Sequence, residues 1–477
     1  MRKTKIICTL GPAVDSPEVL ERLIKAGMNV ARINFSHGNY EEQKGRINNF
    51  KKVRNKLGLP IPLLLDTKGP EIRIGKFENN IVELQKGSLF TLTNQDILGN
   101  AERVSITYKN LYNEVNIGTT ILVNDGTIEL KVKQIINKDI ICEIINGGKL
   151  TNTKSVNIPT LNINLPSMTE KDIEDIKFGI LEGFDYIAVS FVRKPEDVLD
   201  IKDVLKEHNG EHIKVISKIE NRQGIENFDK ILEVSDGIMI ARGDLGVEIP
   251  MEEVPICQKE FIKKCYKLGK PVITATQMLE SMINNPRPTR AEVSDVANAI
   301  YDGSSSIMLS GESAMGKYPV ECVETMNTIA IAIEGSINYW ERFKERNKDR
   351  IKISPEFEMN YSMCVTAINM EAKAIIAYTK TGNTARILSS FGTKCPIYAI
   401  TENRVTYRQL ALCWNITPLI FDHQNFIEDL LELGIEQLKS DGVLNEDDLI
   451  VIAGGSNIIP NLNESNTNKV LGGILKI

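Results

Sequence analysis

Short apolar runs alternate with helical patterns along much of the chain. The runs at 4–10, 28–35 and 60–66, with helical segments between them, predict strand, helix, strand, helix, strand. After residue 168 the alternation resumes, with strand-like runs at 184–190, 212–219, 237–241, 271–276 and 305–309, so the two pieces together predict eight strands. Helix starts are marked by Asp15-Ser16-Pro17, Lys194-Pro195-Glu196-Asp197 and Tyr318-Pro319, because the fixed φ of proline suits a first helical turn. Eight strand–helix units need roughly 250 residues, and segments 1–68 and 168–345 supply about that number. A closed (β/α)8 barrel is the economical solution. An open doubly wound sheet is the alternative, and in both the ligand lies at the carboxyl ends of the strands.

The stretch 69–167 has a different texture. Gly-punctuated stretches such as 120–132, where Asp125-Gly126 lies between extended runs, carry a hairpin signal and predict a small β domain inserted into the barrel. An insertion at the functional end can close over a ligand as a lid. Residues 341–350 mix charges of both signs and read as a solvated helix end and linker. From about 353 onward helix and strand alternate again, with strands at 374–378 and 448–453, which predicts a third, α/β domain. The expected limits are 1–68 and 168–345 for the barrel, 69–167 for the insertion and 346–477 for the C-terminal domain.

The 477 residues are enough for about three domains, each with its own core. The eight cysteines are scattered without a Cys-x-x-Cys pair, so neither a zinc cluster nor a disulfide framework is expected. A formal charge of −6 from 57 basic and 63 acidic side chains gives no nucleic-acid footprint. No run of about 18 apolar residues occurs and the start lacks the features of a signal peptide, so a cytoplasmic protein without a membrane partner is expected.

If the barrel closes, its strand ends gather the chemistry. The second run ends in Arg32, Asn34, Ser36 and His37, the third in Asp66 and Thr67 before Glu71 and Arg73, and the fifth in Lys218 and Glu220. The sixth ends in Arg242-Gly243-Asp244, the seventh in Thr276 and the eighth in Ser310. Lys218 and Glu220, two apart on a strand, must share a face. Glu220 and Asp244 suit a hard divalent cation whose remaining positions a phosphate fills. Arg32, Arg73 and Lys218 suit a small polyanion. The turn at Gly243-Asp244 offers backbone amides to a carboxylate or phosphate. Thr381-Gly382-Asn383-Thr384 could wrap an anion in the third domain, or be simply a turn. Neither a Gly-x-x-x-x-Gly-Lys-Ser/Thr loop nor a Gly-x-Gly-x-x-Gly fingerprint is present, which weighs against the common nucleotide folds.

These strings, in this order and over essentially the whole chain, resemble the pyruvate kinase family: Ala31–Gly38, Leu65–Arg73, Ile216–Ile225, Met239–Gly246, Ala275–Met282 and Ser310–Ala314. The resemblance implies a (β/α)8 TIM barrel, a small β-barrel lid inserted after its third strand and a C-terminal α/β regulatory domain. It implies transfer of the phosphoryl group of phosphoenolpyruvate to ADP, giving ATP and pyruvate. By the same resemblance Glu220 and Asp244 hold Mg2+ or Mn2+, and Lys218 stabilises the phosphoryl group and the enolate. Arg32 contacts phosphate, and Gly243, Asp244 and Thr276 hold the substrate carboxylate. Thr276 and Ser310 lie near the proton delivery to the enolate.

Asn34, Ser36, Asp66 and Thr67 match a K+ site, and Glu71 matches the acidic position of potassium-dependent members. His37, Arg73 and Lys154 match nucleotide contacts. Thr379, Lys380, Thr381 and Thr384 match the site of a phosphorylated allosteric effector. Segment 453–469 departs from the pattern of bacterial relatives, so the effector's identity stays open, and the end at Ile477 leaves no expected phosphohistidine-type domain. A homotetramer is implied. The rival readings are a binding protein that kept the barrel without the chemistry, and an enzyme acting on a related enolpyruvate or pyruvate substrate.

Overall fold

A computed structural model of the chain describes residues 2–159, 161, 165–348, 354–422, 427–454 and 472–477. The eight predicted strands form a closed parallel barrel: Lys5–Thr9, Val30–Asn34, Leu63–Asp66, Tyr186–Val189, Lys214–Ile219, Gly237–Ala241, Val272–Ala275 and Ser306–Leu309. The open-sheet alternative falls, because the first strand pairs with both the second and the last, Cys8 standing beside Ala31 and Leu309.

The strands read as continuous apolar runs because both faces are covered. One set of side chains, including Ile7, Leu64, Ile216, Met239, Ile273 and Met308, fills the barrel interior, and alternate residues such as Ile6, Leu65, Ile187, Ile219 and Ile307 pack outward against the helices. Leu412 of the C-terminal domain joins the interior cluster and plugs the N-terminal end of the barrel. That end is also sealed by polar contacts: Lys5 Nζ donates to Ile416 O at 2.7 Å, Tyr186 Oη to Gln409 O at 2.6 Å and Ser306 Oγ to Leu412 O at 2.9 Å. The opposite mouth is left for chemistry.

Between the third and fourth barrel strands lie a six-stranded sheet and a two-stranded ribbon, formed by strands within Ile81–Asn157. They share one core that includes Phe90, Leu92, Leu130, Val132, Cys142 and Ile144. The Asp125-Gly126 hairpin forms as its sequence predicts: Thr120–Val123 pairs antiparallel with Ile128–Ile136, and Asn124, Asp125 and Gly126 all have positive φ. In the C-terminal domain five strands run in the order Ile416–Ile420, Ile397–Thr401, Ala374–Tyr378, Leu449–Gly454 and Gly472–Lys476, the last antiparallel. The strand order reverses next to Ala374–Tyr378, which puts the loop at 379–382 at the topological switch of this sheet. Of the divergent segment 453–469, the part from 455 lies outside the described residues.

The charged segment at 341–350 departs from its predicted role as a solvated linker. Its described part belongs to the helix Tyr339–Asn347, with Phe343 buried. Arg342 Nη2 turns inward to Ile300 O at 3.0 Å, and the Arg346 guanidinium lies 4.5 Å from the ring of Tyr266. Arginine can bury its stem and planar head on apolar and aromatic surface while remaining charged.

Candidate active site

Lys218 and Glu220 come together as the strand period requires, with Lys218 Nζ 3.0 Å from Glu220 Oε1. The same ammonium is 3.1 Å from Asp66 Oδ1 and donates to Ser190 Oγ at 2.7 Å. Asp66 bridges two cations, because its other oxygen accepts from Arg32 Nε at 2.6 Å while Arg32 Nη1 reaches Thr9 Oγ1 at 2.7 Å. Asp66 and Glu220 are each only 1% exposed, so this is a desolvated charge network rather than a set of surface pairs.

Desolvation disfavours the Lys218 ammonium, but Asp66, Glu220 and Asp244 outweigh it and lift the pKa above the ordinary lysine value. Desolvation also opposes the charge of Asp66, yet Arg32 and Lys218 hold its pKa below the ordinary carboxylate value. The acid pair behaves differently. Burial pushes Glu220 up to about 7 against the pull of Lys218, with Asp244 adding to the rise. Burial likewise raises Asp244. Two facing carboxylates with elevated pKa values are short of positive charge.

A divalent cation fits that deficit. Glu220 Oε2 accepts the Phe191 amide at 2.6 Å, but Oε1 is buried without a hydrogen-bond partner, its 3.0 Å approach to Lys218 being poorly aligned for one. Among the described residues no group of three or more His, Cys, Asp or Glu side chains encloses a metal. Two carboxylates leave the other positions of an octahedral shell to substrate oxygens and water, as magnesium prefers.

Asp244 lies in the first turn of the short helix Arg242–Glu248, which follows the sixth strand. Thr276 stands at φ +68° and Gln277 at φ +53° after the seventh strand, an uncommon conformation for a β-branched residue. It is held there by Arg242, whose Nη2 donates to Thr276 O at 2.7 Å while Nη1 and Nη2 engage Asp295 at 2.7 Å each. The Gly243 amide donates to Thr276 Oγ1 at 2.8 Å, so an incoming carboxylate would share or displace that contact. Gly243, Asp244, Thr276 and Ser310 line one cavity of about 1020 Å3. The backbone N–H of Ser310 donates to Glu312 Oε2 at 2.7 Å, and the other oxygen of Glu312 accepts from Leu279 N at 3.1 Å.

The expected nucleotide residues His37, Arg73 and Lys154 line a neighbouring cavity of about 400 Å3 with Asp244 and Arg193. This cavity runs between the barrel mouth and the inserted sheets, which meet where Asn157 Nδ2 donates to Glu248 Oε1 at 2.7 Å. Asn34 and Asp66 are register partners on adjacent strands, and Thr67 follows directly. Asn34 Oδ1 accepts the Ser36 amide at 3.0 Å. Glu71 is engaged by Arg73 Nε at 2.5 Å and Lys68 Nζ at 3.3 Å.

The threonine loop stands apart, in the C-terminal domain at the other end of the barrel. Thr379 and Thr384 are buried, Lys380 and Thr381 exposed, and Thr379 Oγ1 accepts the Gly382 amide at 2.9 Å.

Sequence reasoning missed two groups and one role. Ser190 and the Phe191 amide, at the end of the fourth strand, hold Lys218 and Glu220 directly. Asp66, read as a potassium ligand, also couples Arg32 to Lys218. The signal for all three is position, since each stands at the carboxyl end of a barrel strand.

The family model described as "Pyruvate kinase, barrel domain" matches residues 1–323, and "Pyruvate kinase, alpha/beta domain" matches residues 358–471. The pyruvate kinase of Clostridium acetobutylicum is 50% identical over 456 residues, 95% of this chain and 96% of that protein. That of Bacillus licheniformis is 50% identical over 96% of this chain and 78% of its own length. The crystal structure of a pyruvate kinase from Cryptosporidium parvum superposes with a TM-score of 0.94 at 37% identity, covering all of this chain and 96% of that one. With the strand-end residues gathered at one mouth, these matches bear out the resemblance: the chain belongs to the pyruvate kinase family and is an enzyme that transfers the phosphoryl group of phosphoenolpyruvate to ADP, giving ATP and pyruvate.

Proposed function

We propose that the network Arg32–Asp66–Lys218–Glu220, with Asp244 and Thr276, carries this phosphoryl transfer. The observation that supports it most is the buried ammonium of Lys218, fixed by Asp66, Glu220 and Ser190 at the barrel mouth. Such a cation is expensive to bury unless something uses it. Arg32 and Lys218 present positive charge to the phosphoryl group, and Lys218 stays charged while the enolate oxygen develops its own, so the site needs no reorganisation as the bond breaks. Thr276 and the first-turn amides at Gly243 and Asp244 orient the substrate carboxylate.

The family requires a divalent cation, and its potassium-dependent members, whose acidic position Glu71 matches, also require K+. We assign the divalent ion, Mg2+ or Mn2+, to Glu220 and Asp244, where it would neutralise phosphate charge. We assign K+ to Asn34, Ser36, Asp66 and Thr67, a set of hard oxygen donors. His37, Arg73 and Lys154 bind the nucleotide, and closure of the inserted domain excludes water from the phosphoryl group. Thr276 and Ser310 lie on the route of the proton to the enolate carbon; Glu312, whose oxygens both accept backbone amides, positions that segment. Thr379, Lys380, Thr381 and Thr384 bind a phosphorylated allosteric effector. The working unit is a cytoplasmic homotetramer, with the chain divided at 1–68, 69–167, 168–345 and 346–477. No helix among the described residues is long and apolar enough to cross a membrane.

The test mixes the pure protein with phosphoenolpyruvate, ADP, Mg2+ and K+ and follows ATP, for the parent and for Lys218→Met, Glu220→Gln and Asp244→Asn. Loss of turnover with retained circular dichroism in all three supports the assignment. A folded variant with parental turnover removes its residue from the mechanism.

A further inference from the structure

The turn after the second barrel strand, residues 34–38, is held by a side chain that takes no part in the proposed site. Gln43 lies near the start of the helix Tyr40–Leu57 and is only 4% exposed. Its Nε2 donates to His37 O at 2.8 Å and to Asn34 O at 3.2 Å, so one amide grips both ends of the turn. Its Oε1 accepts from Arg46 Nη1 at 2.9 Å, and Arg46 is itself fixed by Asp15, with Nε to Oδ1 at 2.6 Å and Nη2 to Oδ2 at 3.0 Å. Two carbonyls at one end of the amide and a guanidinium at the other leave it a single orientation. Asp15 stands between the first strand, Lys5–Thr9, and the helix Pro17–Ala26, so this brace runs from one strand–helix connection to the next.

The rest of the turn is shaped to that grip. Gly38 stands at φ +79°, and a Cβ there would lie 3.1 Å from Gln43 Nε2, tighter than an ordinary contact. The Phe35 amide donates to Asp66 O at 3.0 Å, and Phe35 O accepts from Lys171 Nζ at 3.2 Å. The Asn34 side chain accepts the Ser36 amide at 3.0 Å. The placing of Asn34 and Ser36 is therefore set by the backbone of the turn, whose bracketing carbonyls, Asn34 O and His37 O, are both held by Gln43. Groups that orient the ligands of a cation matter to its affinity much as the ligands do.

We propose that Gln43 is a positioning residue for the monovalent cation: by holding Asn34 O and His37 O it fixes the turn in which Asn34 and Ser36 carry, with Asp66 and Thr67, the oxygen donors assigned to K+. This role rests on that K+ assignment. It makes the brace Asp15–Arg46–Gln43 part of the response to K+, although none of the three is a ligand.

Two measurements on the full chain test this. Half-saturation by K+ is read from ATP formation at saturating substrates, with tetramethylammonium keeping the ionic strength constant. It is read again without turnover, as the rise of Tm with K+ in the presence of phosphoenolpyruvate and Mg2+ but no ADP. Gln43→Glu keeps the size of the side chain and its contact with Arg46 but offers no N–H to the two carbonyls, and Gln43→Met lacks both. In each, the K+ needed for half-saturation rises roughly tenfold by both measurements, while kcat at saturating K+ stays within about threefold of the parent. A merely structural role lowers Tm equally with and without K+ and leaves half-saturation where it was; a parental half-saturation by either measurement overturns the proposal. Arg46→Met, which leaves Gln43 unbraced, moves half-saturation the same way, and it decides alone if circular dichroism shows neither Gln43 variant folded. Asn34→Ala separates this role from the assignment beneath it. If Asn34→Ala alters the K+ response and the folded Gln43 variants do not, the assignment stands and the role of Gln43 falls; an unaltered response in Asn34→Ala removes the ligand through which Gln43 acts, and both fall.

Discussion

Replacing Lys218 with Met keeps the length and apolar stem of the side chain and removes the ammonium. In the native network that ammonium sits 3.0 Å from Glu220 Oε1 and 3.1 Å from Asp66 Oδ1. At an effective dielectric of about 20, each pair at that range has a gross attraction of about 5 kcal/mol, offset by desolvation. Breaking a buried pair costs about 3–5 kcal/mol when the surviving charge has no escape. Here both survivors have one. Asp66 keeps Arg32 at 2.6 Å, and Glu220, already near pH 7 in its titration, takes up a proton. The variant therefore folds.

Its stability has a sign that can be checked. Without Lys218 the folded pKa of Glu220 rises beyond about 7, further above its unfolded value. An acid with a raised folded pKa stabilises the fold while protonated and loses that contribution as pH rises, so the deficit of the variant is smallest below neutrality and widens above pH 7. Turnover behaves otherwise. Loss of a preorganised charge at the reacting atoms lowers kcat by at least about 10²–10³-fold, about 3–4 kcal/mol, at every pH. Urea midpoints at pH 6 and 8 measure the stability effect and coupled ATP formation the loss of turnover. A folded Lys218→Met enzyme within tenfold of the parent kcat refutes the catalytic role, and a protein unfolded at pH 6 makes Lys218 structural.

Asp236 has its pKa lowered, since Lys214 at 3.2 Å, the Val215 amide at 3.0 Å and Lys202 at 3.5 Å outweigh its desolvation. Its contribution is present above the unfolded value near pH 4 and is lost as pH falls through the lower folded value, so Asp236→Asn is less stable than the parent at pH 6 by about 1 kcal/mol and converges on it in acid, read as urea midpoints. Glu334 accepts the backbone N–H groups of Lys3 at 2.7 Å and Thr4 at 2.6 Å; Glu334→Gln leaves one of them facing an NH2 group and lowers stability by about 1–3 kcal/mol with kcat unchanged, and an unaltered urea midpoint would show that the helix carboxylate does not anchor the first strand. Omitting potassium from a sodium-free assay lowers turnover, and Glu71→Lys removes that dependence; product formed equally well without potassium removes Glu71 from the argument.

The strands and the central pair were legible because their signals are local. A barrel strand covered on both faces must be apolar throughout, and two residues separated by one must share a face, so the eight runs and the Lys218–Glu220 contact follow from chain order alone. The hairpin at Asp125-Gly126 is legible for the same reason. Charge density was the misleading signal. Residues 341–347 look like a solvated linker, yet Arg342 and Arg346 seat themselves on carbonyls and rings supplied by residues 300–303, 266 and 414. No window of sequence contains those partners.

The fourth strand shows the deeper limit. Its end reads Ser190-Phe191-Val192, which carries no acid or base and invites no functional assignment. In the fold, Ser190 Oγ receives Lys218 at 2.7 Å, and Phe191, held at φ +57°, aims its amide at Glu220 Oε2 over 2.6 Å. A bulky residue in the left-handed region is strained, and such strain persists where the surrounding structure over-determines it. Here it holds one oxygen of the carboxylate, so that the other is left facing Lys218 and free of hydrogen bonds, open to a cation. The residues proposed for the chemistry announce themselves by type; those that aim them do so by backbone conformation, which becomes visible only when the barrel closes.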